Sequence, residues 1–340
     1  MDPLSRAVSP QVPRSYQAPA EKPEEMSLPH DAFEKNGAER GKPPEAGQAK
    51  SVSAIEGVSA RTLPRPMTEE EKASFREYFP KLDVERAVVS AEATPEYNCI
   101  SWTVGETHQW FWPPQMYPAL TPDKAFDIFY GGYGLVPAEQ GTVAHWVNDE
   151  GPTHGSISGP DHGPRWESKC GQDLQIQHDR DELDSDVYGK IAKYYAMKGA
   201  PRAMKQAQPP EIPKEVAATV KEKAAQVPAG VRDAFNSRYE DWMAFRKSPG
   251  VRMSSNPADY CKTGAFKEIV AMGVQVTPLL MDKIASGDFF SYQACREIEK
   301  AAGQGGFEIS RSAGGTDEAV SEQTRAARAL LAWHQDQQES

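Results

Sequence analysis

Cys99 is the side chain with the most chemistry within reach. The stretch Asn98 to Gly105 (NCISWTVG) reads as a short helix opened by Asn98 and closed by Gly105. A cysteine at the second position of that stretch meets free backbone N–H groups and the positive end of the helix dipole. Both favour the thiolate, the reactive form. The same N–H groups suit the oxyanion of an acyl transfer. A thiol nucleophile also needs a base on a rigid neighbouring element. His154 fits that role: it begins a strand, and the small residues Gly155 and Ser156 leave room for a ring and a substrate. The plainer alternatives are a thiol buried in an aromatic core and a hydrogen-bonded histidine at a strand end.

The remaining histidines suggest less. His108 lies in a turn, His162 in a Gly/Pro turn, and His30 and His334 near the ends. His145 alternates with Trp146 along a strand, so one of the two should face the core. A metal site would have to gather His145, His154 and His178 with an acid. None of them has the HxH or HExxH spacing of ligands, so neither metal nor cofactor is expected. The aromatic run Trp110-Phe111-Trp112 suits either the rim of a substrate groove or a rigid loop over the sheet. Gly131-Gly132-Tyr133-Gly134 lacks the Lys-Ser/Thr of a phosphate loop.

Helices and strands must hold these residues. Thr68-Glu69-Glu70-Glu71 is a capping box, with Phe75, Tyr78 and Phe79 following at helical spacing, so 68–79 is expected to be an amphipathic helix. Thr121-Pro122-Asp123 starts another helix, which Gly131-Gly132 ends. Residues 142–148, 153–158 and 165–169 read as strands joined by turns at 149–152 and 159–164. Residues 181–197 (DELDSDVYGKIAKYYAM) read as a helix. His178 would then cap the helix starting near Asp181 unless it takes part in the chemistry. The pattern is α+β. Residues 200–210 read as a linker. Residues 211–338 keep a 3–4 spacing of apolar residues and predict a helical module, a small bundle or a HEAT-like array, with a Gly-rich loop over 303–316.

Composition sets the outer limits. The chain has 340 residues and a formal net charge of −11, an acidic balance that argues against a nucleic-acid partner. No apolar run is long enough to span a membrane. The start, Met1 to Arg6, lacks the apolar region of a signal peptide. Four widely spaced cysteines suggest free thiols in reducing surroundings. Residues 1–66 hold ten of the 28 prolines and only two aromatics, Tyr16 and Phe33, which predicts a disordered leader. Five of the seven tryptophans fall within 84–200, the expected principal core.

The ordered motifs Tyr97-Asn98-Cys99-Ile100-Ser101-Trp102, Thr153-His154-Gly155-Ser156, Arg165-Trp166-Glu167-Ser168-Lys169-Cys170-Gly171, Ile176-Gln177-His178 and Tyr188-Gly189 carry a resemblance. Residues 85–198 resemble an uncharacterised family of bacterial domains and, more distantly, papain-like amidases and cell-wall endopeptidases. That family reads Ala-Ala where this chain has Gly155-Ser156. The resemblance implies a papain-like fold with a helix-borne nucleophile, Cys99, and a strand-borne base, His154. The group that orients the imidazole would lie about a dozen residues on, at Glu167, Ser168 or Lys169, or at His178. Ser168 matches the family motif and Glu167 does not; a charged Lys169 cannot accept from the imidazole, so Ser168 and His178 stay open. Asn98 and Trp102 would serve the oxyanion and the substrate. Met253 to Pro257, Phe266 to Val270 and Pro278 to Leu280 resemble a helical module found in many bacterial proteins.

The reading is thus a leader over 1–66, an α+β domain over 67–199 that the resemblance implies is papain-like, a linker over 200–210 and a helical module over 211–338. The leading expectation is a cysteine-dependent hydrolase or transferase acting on an amide, peptide or isopeptide bond of a peptide or protein substrate. It would be cytoplasmic, or delivered as an effector or toxin by a specialised secretion system. The rival is a non-catalytic interaction protein with the α+β domain as scaffold and the C-terminal helices as the protein-binding part. Deamidation or transglutamination is a third reading of the same thiol.

Overall fold

In the computed structural model, which describes residues 63–159, 163–198, 204–303 and 318–339, Thr68 closes its capping box with Glu71. The Thr68 N–H donates to the Glu71 carboxylate at 2.7 Å, and the Glu71 N–H to Thr68 Oγ1 at 3.2 Å. Helix α1 (Glu69–Tyr78) follows strand β1 (Arg65–Pro66) and buries Phe75. The expected leader lies outside the described residues except at its end, where Arg65 and Pro66 pair with Val89 and Val88.

The chain continues through β2 (Val88–Ala91), α2 (Cys99–Thr103), α3 (Pro113–Met116) and α4 (Pro122–Gly132). Strands β3 (Leu135–Ala138), β4 (Val143–Asn148), β5 (Gly151–Gly159), β6 (Gly163–Lys169), β7 (Gln175–His178) and β8 (Lys190–Met197) complete one sheet. Its order is β1-β2-β7-β6-β5-β4-β8-β3, and every neighbouring pair is antiparallel. Both faces are covered. Val143, His145, Gly155, Ile157 and Tyr195 turn toward α2 and α4, while Ala144, Trp146 and Ile176 join Phe75, Phe79 and Tyr188 on the other face. A strand covered twice buries both sets of alternating side chains. His145 and Trp146 are therefore both inside, where one-faced burial was expected.

The reading of 181–197 as a helix is wrong. Residues 190–197 form β8, paired with β4 on one side and β3 on the other. Val187, Ile191 and Tyr194 do fall at helical intervals, but sheet neighbours on both sides take the backbone hydrogen bonds. Gly189 leads into the strand at φ +71°, and a Cβ there would lie 1.9 Å from the Val147 carbonyl oxygen. His178 ends β7 and caps no helix.

Residues 204–303 and 318–339 hold β9 (Lys205–Ala207), α5 (Lys214–Gln226), α6 (Ala229–Arg246), α7 (Pro249–Arg252), α8 (Gly264–Ala271), α9 (Thr277–Ala285), α10 (Ser291–Ala301), β10 (Glu318–Val320) and α11 (Glu322–Glu339). Two 3-10 turns, Asp259–Cys261 and Gly273–Val276, punctuate the helices. The expected linker begins outside the described residues, and its 205–207 portion is a strand, paired in parallel with β10. The expected Gly-rich loop falls outside them beyond Gly303.

The two regions belong to one compact unit. Trp110 leaves the sheet region and buries its ring among Tyr260, Phe289 and Phe290 of the helical core. Its indole N–H donates to the Ser255 carbonyl at 3.0 Å, and its own carbonyl accepts from the Glu322 N–H at 2.9 Å. Phe111 packs on Phe129 and Trp112 on Phe126. The aromatic run is buried core.

Candidate functional site

Asn98 caps α2 as its type and place demand. Its Oδ1 accepts from the Ser101 N–H at 3.0 Å and the Ser101 hydroxyl at 2.8 Å. Its amide nitrogen donates to the Phe111 carbonyl at 2.8 Å and to that of Ser255 at 3.4 Å. Both of its N–H bonds thus brace the loop after α2 and the chain that enters the helical module. Trp102 lies half-buried with its ring 6.4 Å from that of Tyr97.

Cys99 is sealed. No part of it reaches solvent. Burial pushes the thiol up to about 12, although the Ser255 hydroxyl, the Gly155 and Ile100 N–H groups and Lys169 all favour the thiolate. Desolvation wins because no opposite charge touches the sulfur and neutral dipoles replace only part of its lost hydration. Lys169 is tied elsewhere. Its ammonium donates to the carbonyls of Thr94, Gly171 and Asp173 at 3.0, 2.6 and 2.7 Å. It holds the turn after β6 shut, and burial lowers it to about 8.

His154 neighbours Gly155 on β5, and the two-residue period of a strand separates their directions. Gly155 faces Ile100, Thr103 and Tyr130. The His154 ring stacks on Tyr188 with centroids 3.9 Å apart and planes 7° from parallel, and meets the edge of Trp146 at 6.3 Å. Neither ring nitrogen makes a hydrogen bond among the described residues. Burial, reinforced by His178, drives its pKa well below the ordinary imidazole value, so the ring is neutral. The structure thus brings Cys99 beside the Gly155 backbone and, among the described residues, joins no imidazole to the sulfur by a hydrogen bond.

Ser168 and His178 meet each other. Ser168 Oγ lies 2.8 Å from His178 Nε2 and 2.8 Å from Ser156 Oγ, which accepts from the Trp146 indole at 2.9 Å. His178 Nδ1 is 2.7 Å from the Asp179 carbonyl. That carbonyl only accepts, so Nδ1 carries the proton and Nε2 accepts from Ser168. Ser168 in turn accepts from Ser156, and Ser156 from Trp146. Every proton in this chain has one place to be. The chain runs across four neighbouring strands, β4 to β7, on the α1 side of the sheet and does not reach the His154 nitrogens. Its signal in the sequence is alternation: Trp146, Ser156, Ser168 and His178 each fall on the same face of their strands.

His145 lies on the opposite face, 4.5 Å from Phe126, with Nε2 3.8 Å from the exposed carboxylate of Asp123. Burial lowers it to about 3. Among the described residues no three His, Cys, Asp or Glu side chains converge as metal ligands.

Two adjoining hollows open on the helical region. One, about 690 Å³, has Tyr239 and Met243 in its lining with Lys247 and Lys283 beside them. The other, about 500 Å³, lies over Phe235 and Leu279 between Lys221 and Arg232. Nothing in the sequence marked this place, because its residues come from three separate helices.

Residues 88–196, from the start of β2 to one residue short of the end of β8, match a domain of unknown function (DUF7689). The match spans all five of the sequence motifs, from Tyr97 to Gly189, and brings no activity, substrate or papain-like kinship with it. No curated protein and no solved structure matches the chain.

Proposed function

We propose that this chain is a non-catalytic interaction protein, in which the α+β region is a scaffold and the C-terminal helices bind a partner. The observation that carries this reading is the state of Cys99: wholly buried, with its thiol pushed to about 12. A nucleophile at neutral pH needs the thiolate and a path for substrate. The polar groups near by have structural occupations that a catalytic cycle would undo. Asn98 caps and braces, Lys169 clamps a turn, and Ser168 and His178 complete a closed hydrogen-bond chain.

One observation favours the cysteine-dependent amide hydrolase as a second reading. The Cys99 sulfur lies against the N–H groups of Ile100 and Gly155, donors of the kind that an oxyanion uses. Alkylation of the native protein by iodoacetamide at neutral pH, followed by peptide mass analysis, separates the two. Cys261, half-buried, should react first, and Cys99 should lag with the buried Cys170 and Cys295. His154→Ala should leave that order unchanged. Rapid alkylation confined to Cys99, slowed in His154→Ala, would instead favour the hydrolase.

A further inference from the structure

The hollows on the helical region form one groove. They share Asn236 and Lys283 in their linings, so the first continues into the second along α6. Its apolar surface lies mainly in the first hollow, where the half-buried Tyr239 and Met243 line it; in the second, Phe235 is wholly buried and Leu279 and Ala224 nearly so, beneath a more polar lining. Methionine and aromatic floors adapt to more than one side chain and suit the anchoring residues of a peptide.

The walls are cationic. Lys221, Arg232, Lys247 and Lys283 stand against Glu240 and Asp282, an excess of positive charge on a chain whose formal net charge is −11. Two of the cations are held in place in different ways. The Arg232 guanidinium donates to the Ala225 and Val227 carbonyls at 2.8 and 3.3 Å. Lys283 sits 4.7 Å over the Tyr239 ring. Below, the Tyr239 hydroxyl donates to Asp288 at 2.7 Å, and Asp288 is paired with the buried Arg246. The ring under Lys283 is therefore fixed from the core.

We propose that this groove between α5, α6 and α9 receives a peptide segment of a partner protein that carries acidic residues flanking apolar anchors. The apolar side chains would enter over Tyr239 and Met243, and the carboxylates would meet Lys247 and Lys283 at one end and Lys221 and Arg232 at the other. Charge complementarity selects the acidic partner, since a basic segment would face four cations. This deepens the interaction-protein reading and rests on it.

The test uses the full chain and a fluorescein-labelled helical peptide of about 18 residues with a leucine stripe flanked by glutamates. Fluorescence anisotropy should show saturable binding that weakens as salt is raised. The same peptide with lysine in place of glutamate should not bind. Lys247→Glu with Lys283→Glu should weaken binding about tenfold or more. Met243→Asp, at a site only partly buried, should weaken it too while leaving the circular dichroism unchanged. Equal affinity for the two peptides, indifference to the charge-reversed variant, or no saturable binding by the folded wild-type chain would each overturn the proposal. Thiol labelling of the same preparation reports on the interaction-protein reading separately. A failed groove with a protected Cys99 sinks this inference alone, whereas a hyper-reactive Cys99 sinks the reading beneath it.

Discussion

His178 accepts one hydrogen bond at Nε2 and donates one at Nδ1, and acid takes that arrangement away. A protonated Nε2 would have to donate to Ser168, whose hydroxyl would turn toward Ser156. Ser156 would then face two donors, Ser168 and the Trp146 indole. Burial lowers His178 to about 4. A folded pKa below the unfolded value of 6.5 means that the unfolded chain binds the proton first. Stability is thus whole above about pH 6.5 and falls as the pH drops toward 4, by about 3 kcal/mol from this residue. His145, lowered to about 3, acts with the same sign. Asp173 and Glu322, whose carboxyls burial pushes up, act against it. Urea unfolding at pH 7 and pH 4.5 should show the loss in the wild type, and a smaller dependence on pH in His178→Ala. An equal slope in both would remove His178 from the account. The residues that could do chemistry were legible by type, and Asn98 by role. What those types could not reveal was that Ser168 and His178 would satisfy each other, or that His154 would stack on Tyr188.

At the scale of elements, local signals set boundaries well where they were strong. The Thr68 capping box, Pro122 at a helix start and the alternating run of β4 all fall where their chemistry places them. β8 was misread because its apolar spacing fits two periods, and its pairing with β3 and β4 is non-local. β9 is three residues long and finds its partner more than a hundred residues on, so no local pattern announces it. In the helical region, α6 is fastened to the turn before α10 by a buried ion pair. Arg246 donates to both oxygens of Asp288 at 2.9 and 2.7 Å, and Ser291 and Tyr239 complete the carboxylate's shell. The Arg246 partner and these hydroxyls overcome burial and hold the Asp288 carboxyl below its ordinary value. Asp288→Ala would leave the guanidinium buried and unpaired. It should cost about 3–5 kcal/mol, read as a lower denaturation midpoint. A loss below about 1 kcal/mol would show that water reaches Arg246.

Over the whole molecule, the sheet region and the helices share side chains across their boundary. Trp110 is the largest of these, and the Tyr188 hydroxyl donates to the Met253 carbonyl at 2.8 Å as a second tie. Cys99 N–H donates to Ser255 Oγ at 3.4 Å, so the helical module also forms part of the wall around the thiol. Thermal unfolding should therefore be one transition by both tryptophan fluorescence and far-ultraviolet circular dichroism. Trp110→Ala should cost about 3–5 kcal/mol and separate the two signals. Two transitions already present in the wild type would mean that the regions fold independently.

The sequence by itself determined the α+β class, the helical C-terminal region, the caps of α1 and α2 and the strand that carries His154. Each of these is written in neighbouring residues, through side-chain period, capping chemistry or turn residues. Only the tertiary structure decided which face of the sheet each polar side chain occupies and that both faces are covered. It alone sealed Cys99 and set Trp110 in the helical core. Those outcomes depend on strand register and on packing between segments more than a hundred residues apart, and burial then fixed the protonation of thiol and imidazoles alike.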